Sequence, residues 1–347
     1  MELVAPCKRS WRCALFSVMV LAAIWYFQAA IASQNLCEHL RPQNLASADG
    51  ADANSVPPGR WCTRSWYESS SIEKLFYRNA DVLTANRTIL CETLKPWNYE
   101  DSWRRPIREG RARSPQSTMF STLCREGFRP QVLEPLAGVL RDPRFLCDFD
   151  SPDTNIHLGT RDWLVMADSS DYPPQPGTRR LFFDAGGTTF APVMQWFAQT
   201  YEDRGLPLDE IYVWEVKNIS EADYWANVPE HITNRYKPKL TRYNAVGIVT
   251  GLGAEHNPMT QIHKKCRAQD FCVFKLDVDT PSVEMPIVHQ LIENPGHVSE
   301  FFFEHHVWSP LMFKWWGTRS GVNGTFQYSY DIFTRLRQKG IRAHSWI

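Results

Sequence analysis

The chain has 347 residues, 43% of them hydrophobic, and carries equal numbers of basic (Lys plus Arg, 38) and acidic (Asp plus Glu, 38) side chains. That length accommodates one full-sized α/β domain with an additional segment of about a hundred residues. With no basic excess and no nucleic-acid-binding signature, the composition excludes a polyanion as the expected partner.

At the amino terminus Lys8, Arg9 and Arg12 precede an apolar run from Cys13 to Ala32, interrupted only by Ser17 and Gln28. The run is long enough for a bilayer span, and its positive flank would hold the terminus in the cytosol. Residues 1–12 thus read as a cytosolic tail and 13–32 as a single-pass (type II) signal anchor in the endoplasmic reticulum or Golgi membrane. Ala30-Ile31-Ala32 before Ser33 also has the small-x-small pattern of a cleavage site, so a cleaved signal peptide and a secreted product stay open. Either route puts the remainder in the secretory pathway.

Cys37, Cys62, Cys91, Cys124, Cys147, Cys266 and Cys272 lie beyond the run, where an oxidising lumen permits disulfides. The number is odd, so at least one stays free or pairs between chains. Cys266 and Cys272 are the best candidates for a local bridge, with a pair of buried thiols as the alternative. No Cys-x-x-Cys is present to suggest a zinc ribbon. Acceptor sequons at Asn86, Asn218 and Asn323 are compatible with a lumenal glycoprotein.

Residues 33–70, rich in small and polar types and containing Val56-Pro57-Pro58-Gly59, read as a flexible stem. Residues 71–175 read as a cysteine-containing accessory region, mostly helical or irregular. In it Arg104–Gln116 is expected as a solvated loop. Between Gln131 and Cys147, Val132, Leu133, Leu136, Val139 and Leu140 recur at helical spacing, stopped by Arg141-Asp142-Pro143. Trp163–Met166 is either an extra strand or an entry helix, and Pro173, Pro174, Pro176 and Gly177 mark the boundary of the main domain, 176–347.

From Arg180 strands and helices alternate. Strands are expected at Leu181–Phe183, Ile211–Glu215, Val246–Val249, Cys272–Asp277, Glu300–Glu304 and Ile341–His344. Helices are expected over Pro192–Tyr201, within Glu221–Tyr236, and over Thr260–Cys266, Ser282–Ile292 and Tyr330–Lys339. Crossover connections of this kind predict a mostly parallel, doubly wound (Rossmann-like) sheet covered on both faces. The strand ending at Asp184 meets a turn, Gly186-Gly187, and later strands end on Glu215, Asp277 and Glu304. A parallel sheet gathers such ends over one crevice, where a carboxylate can accept both hydroxyls of a ribose. Glu215 fits that use.

The series Phe183-Asp184-Ala185-Gly186-Gly187, Val213-Trp214-Glu215, Phe274-Lys275-Leu276-Asp277-Val278-Asp279 and Phe303-Glu304-His305-His306 resembles the S-adenosylmethionine-dependent methyltransferases of the FkbM type. The resemblance covers residues 180–347, about half of the chain, and its motifs are specific as a set rather than singly. It implies that Asp184, Gly186 and Gly187 bound the methionine end of the cofactor and that Glu215 holds the ribose. The adenine would lie near Gly253–Asn257. Two features depart from the family pattern. Thr188-Thr189 stand where glycine often continues, and Thr280-Pro281 replaces a Gly-containing turn, which bears on Glu284 and the acceptor site. Nicotinamide dinucleotide is less suited, because the Gly-x-Gly-x-x-Gly spacing is missing.

Transfer to an oxygen benefits from in-line orientation and from a base or a metal acting on the hydroxyl. Asp277, Asp279, Glu304, His305 and His306 are the residues at hand. Asp277 is the first choice as an orienting or base residue, and His305 is the alternative base. The expected product is a lumenal O-methyltransferase acting on a glycan or small-molecule acceptor, with Trp308, Phe313, Trp315, Trp316 and Phe326 suited either to stacking on sugar or to covering the core. Asn218 is expected unmodified, since a glycan there would crowd the ribose site. A second class remains: Asp277-Val278-Asp279 has the form that chelates manganese in lumenal glycosyltransferases, with His305 a possible further ligand. A third is a non-catalytic descendant of the fold.

Overall fold

A computed structural model describes residues 61–98, 119–147, 158–317 and 324–346, all within one compact unit, Val56–Ile347. The tail, the apolar run Cys13–Ala32, most of the stem, Cys37, Arg104–Gln116 and the Asn323 sequon lie outside the described residues. Among the described residues no helix is long and apolar enough to cross a membrane.

The first part of the unit builds a small antiparallel sheet from β1 (Trp66–Glu68), β2 (Ser121–Cys124) and β3 (Gln131–Leu133). Its first strand falls inside the interval read as stem. Helices α1 (Ser71–Leu83), α2 (Arg87–Asn98) and α3 (Arg144–Cys147) accompany it. Ser70 starts α1 by accepting from the Glu73 amide at 3.2 Å, an N-cap that satisfies an otherwise orphaned donor. Disulfides Cys62–Cys124 and Cys91–Cys147 tie the region together. The single helix expected between Gln131 and Cys147 is not formed. Pro135 cannot donate within a helix, and Gly138 (φ 64°) and Leu140 (φ 55°) take left-handed backbone, so the apolar residues are buried from β3 and irregular chain instead. Trp163–Met166 is likewise neither strand nor helix, though buried throughout.

The main sheet has six strands, all parallel: β4 (Arg180–Ala185), β5 (Glu210–Glu215), β6 (Leu240–Asn244), β7 (Phe271–Leu276), β8 (Val298–Phe303) and β9 (Arg342–Ser345), in the order β6-β5-β4-β7-β8-β9. This is a doubly wound, Rossmann-like α/β arrangement whose strand order reverses between β4 and β7, where such sheets place a ligand. The inner strands are apolar on both faces because helices cover both. On one face Phe182, Val213, Val273 and Phe302 form a core with Phe197, Tyr201 and Trp346. A π-helical turn, Phe190–Met194, and α4 (Gln195–Asp203) lie on that face, in place of one helix from Pro192.

Further connections are α5 (Glu221–Tyr224) and α6 (Glu230–Tyr236), separated by Pro229, then α7 (Pro258–Lys265), α8 (Pro281–Glu293), α9 (Phe313–Trp316) and α10 (Phe326–Gln338). The third strand of the domain is Leu240–Asn244 rather than Val246–Val249. Tyr243 and Asn244 pair with Trp214 and Glu215, after which Ala245 (φ 58°) turns the chain out of the sheet. Cys266 and Cys272 are bonded to each other.

A buried ionic network joins the two parts. Arg337 of α10 reaches Glu134 at 3.0 Å and Glu73 at 3.4 Å, and His344 of β9 lies between Glu134 (2.8 Å) and Glu300 (2.9 Å). Unpaired, such groups would cost several kcal/mol each to desolvate. Here Arg337, Arg342 and His344 meet Glu73, Glu134 and Glu300.

Candidate functional site at the carboxyl ends of the strands

Register and side-chain alternation bring the site together. Asp184 pairs with Val213 and Lys275, and Lys275 pairs with Phe302. Residues two positions beyond share their face, so Asp184, Glu215, Lys275, Asp277 and Glu304 stand on one face along the carboxyl edge.

At the switch point Lys275 Nζ lies 3.2 Å from Asp184 Oδ1 and 3.2 Å from Asp277 Oδ2. Burial disfavours the lysine charge, but the two carboxylates outweigh it and its pKa is raised. Asp184 is 2% exposed and lies beneath the glycine turn: a β-carbon on Gly187 would stand 2.6 Å from Asp184 Oδ2. Asp184 therefore positions the turn, and Gly186 and Gly187 hold it to β5 by donating to the Trp214 carbonyl at 3.0 and 3.3 Å. Glu215 closes the same turn from the other strand, accepting from Thr188 Oγ1 and from the Lys217 amide, each at 2.7 Å. Each oxygen of Glu215 keeps a further lone pair for a ligand hydroxyl. Tyr224 adds a buried hydroxyl with no hydrogen-bond partner among the described residues; burial, then the charge of Asp184, raises its pKa.

At the ends of β7 and β8 the acidic residues have different partners. Arg141 Nη2 donates to Glu304 Oε1 at 2.6 Å, and Trp316 Nε1 donates to the same oxygen at 3.1 Å. Burial alone would raise Glu304, yet the hydrogen bond from His306 and the charge of Arg141 hold it at about 2. His306 Nε2 lies 3.3 Å from Glu304 Oε2 and 3.7 Å from Asp279 Oδ1; the bond to Glu304 raises the histidine. His305 turns the other way, onto Phe303, with its Nδ1 unpartnered among the described residues. Burial, then the charge of His306, lowers it to about 4, so it is neutral at pH 7. Burial raises Asp277, with the Lys275 charge acting against it. Glu284, in the first turn of α8, accepts from the Val278 amide at 2.9 Å. Its burial, with Asp277 and Asp279 nearby, pushes it up to about 7.

The sequence-derived residues Asp184, Gly186, Gly187, Glu215, Asp277 and Asp279 thus share one edge, with His305 beside them but facing apolar rings. Asp277 and Asp279 diverge: the first engages Lys275 and the second projects into solvent at 79% side-chain exposure. Gly253–Asn257 forms the loop before α7, where Gly253 N donates to Thr260 Oγ1 and Asn257 caps the helix. Val216 and Leu252 are exposed at 69% and 68%. Among the aromatic residues, Trp316 and Phe326 are buried and Phe313 is exposed, so the segment partly covers the core. Asn218 is exposed and accepts from Asn244 Nδ2 at 2.8 Å. Arg141 and Tyr224 carry no motif. Arg141 belonged to an expected helix stop, and only the fold brings it to Glu304. Compared with protein families, curated proteins and solved structures, the chain matches none.

Proposed function

We propose that the chain is an S-adenosylmethionine-dependent O-methyltransferase of the FkbM type, acting in the secretory pathway on a glycan or small-molecule acceptor. The observation that carries the reading is the pairing of a glycine turn at the switch point with Glu215 on the neighbouring strand, its carboxylate fixed against that turn by Thr188. The Tyr224 hydroxyl, buried without a hydrogen-bond partner among the described residues and within reach of the Asp184 charge, suits a polar ligand. The excess of carboxylates around Lys275 and Arg141 suits a cationic donor.

Glu215 would accept the ribose hydroxyls. The Gly186-Gly187 turn would bound the methionine end, with Asp184 and Lys275 holding the turn rigid. When bound, the sulfonium donor supplies an electrophilic methyl group: its carbon–sulfur bond breaks as the carbon–oxygen bond forms, leaving a thioether. Glu284, buried and raised to about 7, is the group suited to take the acceptor's hydroxyl proton, ahead of Asp277 and His305. Asp277, tied to Lys275, orients. The three disulfides support an oxidising compartment, consistent with lumenal delivery by an anchor or signal at Cys13–Ala32. A manganese-dependent glycosyltransferase would need Asp277 and Asp279 turned to one ion, and the engagement of Asp277 by Lys275 favours the methyl-donor reading over it.

Calorimetry of the full-length chain with S-adenosylmethionine tests this. The wild type should bind, and Glu215→Ala should weaken binding by about tenfold or more. No binding by the wild type removes the reading.

A further inference from the structure

Outside the donor crevice, the ends of β7 and β8 gather three atoms of ligand type. Glu304 Oε2 and Asp279 Oδ1 lie 3.3 and 3.7 Å from His306 Nε2, and the three ligand atoms all fall within 4.8 Å of one another. Ligands at about 2.1 Å from one ion stand about 3 Å apart when adjacent and about 4.2 Å when opposite. Three adjacent coordination positions are therefore within reach of a small shift of the exposed Asp279 carboxylate.

Two of the groups are already oriented. Glu304 Oε1 is taken by Arg141 and Trp316, which leaves Oε2 facing His306. The His306 ring lies over Trp316 at an interplanar angle of 26°. Such outer contacts fix a ligand's direction before an ion arrives. The imidazole nitrogen distinguishes this set from carboxylates that merely share a rim. Asp184, Asp277, Asp279 and Glu304 also set four carboxylates against Lys275 and Arg141, so a dication would offset the remaining charge.

We infer that Asp279, Glu304 and His306 bind one divalent cation of the manganese(II) kind. Two carboxylate oxygens and one imidazole nitrogen combine the donor preferences of the hard divalent ions and of the imidazole-binding metals. Asp277 is outside the set, so the Asp277-Val278-Asp279 stretch supplies one ligand rather than two. The side-chain exposure of Asp279 leaves the other coordination positions open to solvent or to an acceptor oxygen. The ion would contribute Lewis acidity toward the acceptor hydroxyl, a role that rests on the methyl-transfer reading, whereas binding of the ion does not.

The test is a manganese(II) titration of chelator-stripped full-length protein, with free ion read by electron paramagnetic resonance. The wild type should bind one ion. Asp279→Asn, which keeps a residue tolerant of the left-handed backbone at this position (φ 52°), and His306→Gln should each weaken binding by about tenfold or more. No bound ion in the wild type, or affinity unchanged in both variants, overturns the inference. Calorimetry with S-adenosylmethionine in chelator reports on the donor site alone, so failure there is distinct from failure here.

Discussion

Gly186 and Asp277 approach so closely that a β-carbon on the glycine would stand 1.8 Å from the Asp277 carbonyl oxygen. The neighbour is backbone, held in place because Asp277 N donates to the Ala185 carbonyl at 3.0 Å. Gly186 also has φ 102°, which side-chain-bearing residues rarely adopt. Gly186→Ala should therefore lose roughly 3 kcal/mol or more of stability, read as a lowered urea midpoint. A midpoint within experimental error of the wild type would show that the turn is not packed this tightly.

Lys275 serves two carboxylates at 3.2 Å each, so its removal should do more harm than its own modest share of any single pair. Lys275→Met leaves Asp184 and Asp277 facing each other without their cation, at a cost of about 3–5 kcal/mol. Adding Asp184→Asn removes one of the stranded charges and should recover part of the loss. A double variant less stable than the single one would contradict an electrostatic origin. The comparison is made by chemical unfolding at neutral pH.

His344, fully buried between Glu134 and Glu300, gives the fold a pH dependence of defined sign. Burial opposes its charge, but the two carboxylates outweigh that and raise its pKa above 6.5. Its contribution is therefore complete below about pH 6.5 and lost as pH rises through the raised folded value. Glu134 and Glu300 are lowered from 4.5 despite burial, through the His344 charge and hydrogen bonds, so their contribution is complete above about 4.5 and lost on acidification. His344→Gln should flatten the decline in stability that sets in as pH rises above about 6.5. An unchanged slope in the variant would assign the decline to other groups.

The disulfides should differ in worth by the length of chain they close. Cys62–Cys124 and Cys91–Cys147 span 62 and 56 residues, whereas Cys266–Cys272 spans 6. Loop-closure entropy gives about 4 kcal/mol for each long bridge and about 2 kcal/mol for the short one. Paired Cys→Ala variants unfolded by urea would give the ranking directly. A larger loss on removing the short bridge would refute the entropic ordering.

How much of this was legible in the sequence depended on whether an element announces itself by its own residues. Leu181–Asp184 and Ile211–Glu215 are inner strands, continuous apolar runs that stop at a carboxylate, and Cys272–Asp277 is a third interrupted only by Lys275, so their strand ends were readable. The edge strand Leu240–Asn244 pairs on one side only and is half-buried and polar, while the apolar Val246–Val249 beside it drew the assignment away. Between Gln131 and Cys147 the apolar spacing marked real core positions, but Pro135 and Gly138 decided the backbone. Arg141 and His344 could not be read at all. Their partners lie 163 and 210 or 44 positions away: docking of the two parts brings Glu304 to Arg141 and Glu134 to His344, and the pairing of β8 with β9 brings Glu300.

Glu284 is where stability and the proposed chemistry should pull in opposite directions. Its folded pKa, about 7 against an unfolded 4.5, is raised first by burial and further by Asp277 and Asp279, despite the Val278 amide bond and the His306 charge. Between these two values the folded protein keeps a proton that the unfolded chain has released, so stability falls as pH rises through that window and then levels off. The total is on the order of 3 kcal/mol. Glu284→Gln keeps an oxygen for the Val278 amide but no ionisable group, so it should abolish that slope and be more stable than the wild type at about pH 8. The same variant cannot accept a proton from an acceptor hydroxyl, and transfer should slow by about a hundredfold if Glu284 is the base. Unfolding curves across pH, set beside methyl-transfer rates, separate the possibilities. A gain in stability with no loss of rate would leave Glu284 buried for reasons other than proton transfer. A loss of stability would mean that its ionised form is better compensated in the folded protein than its surroundings indicate.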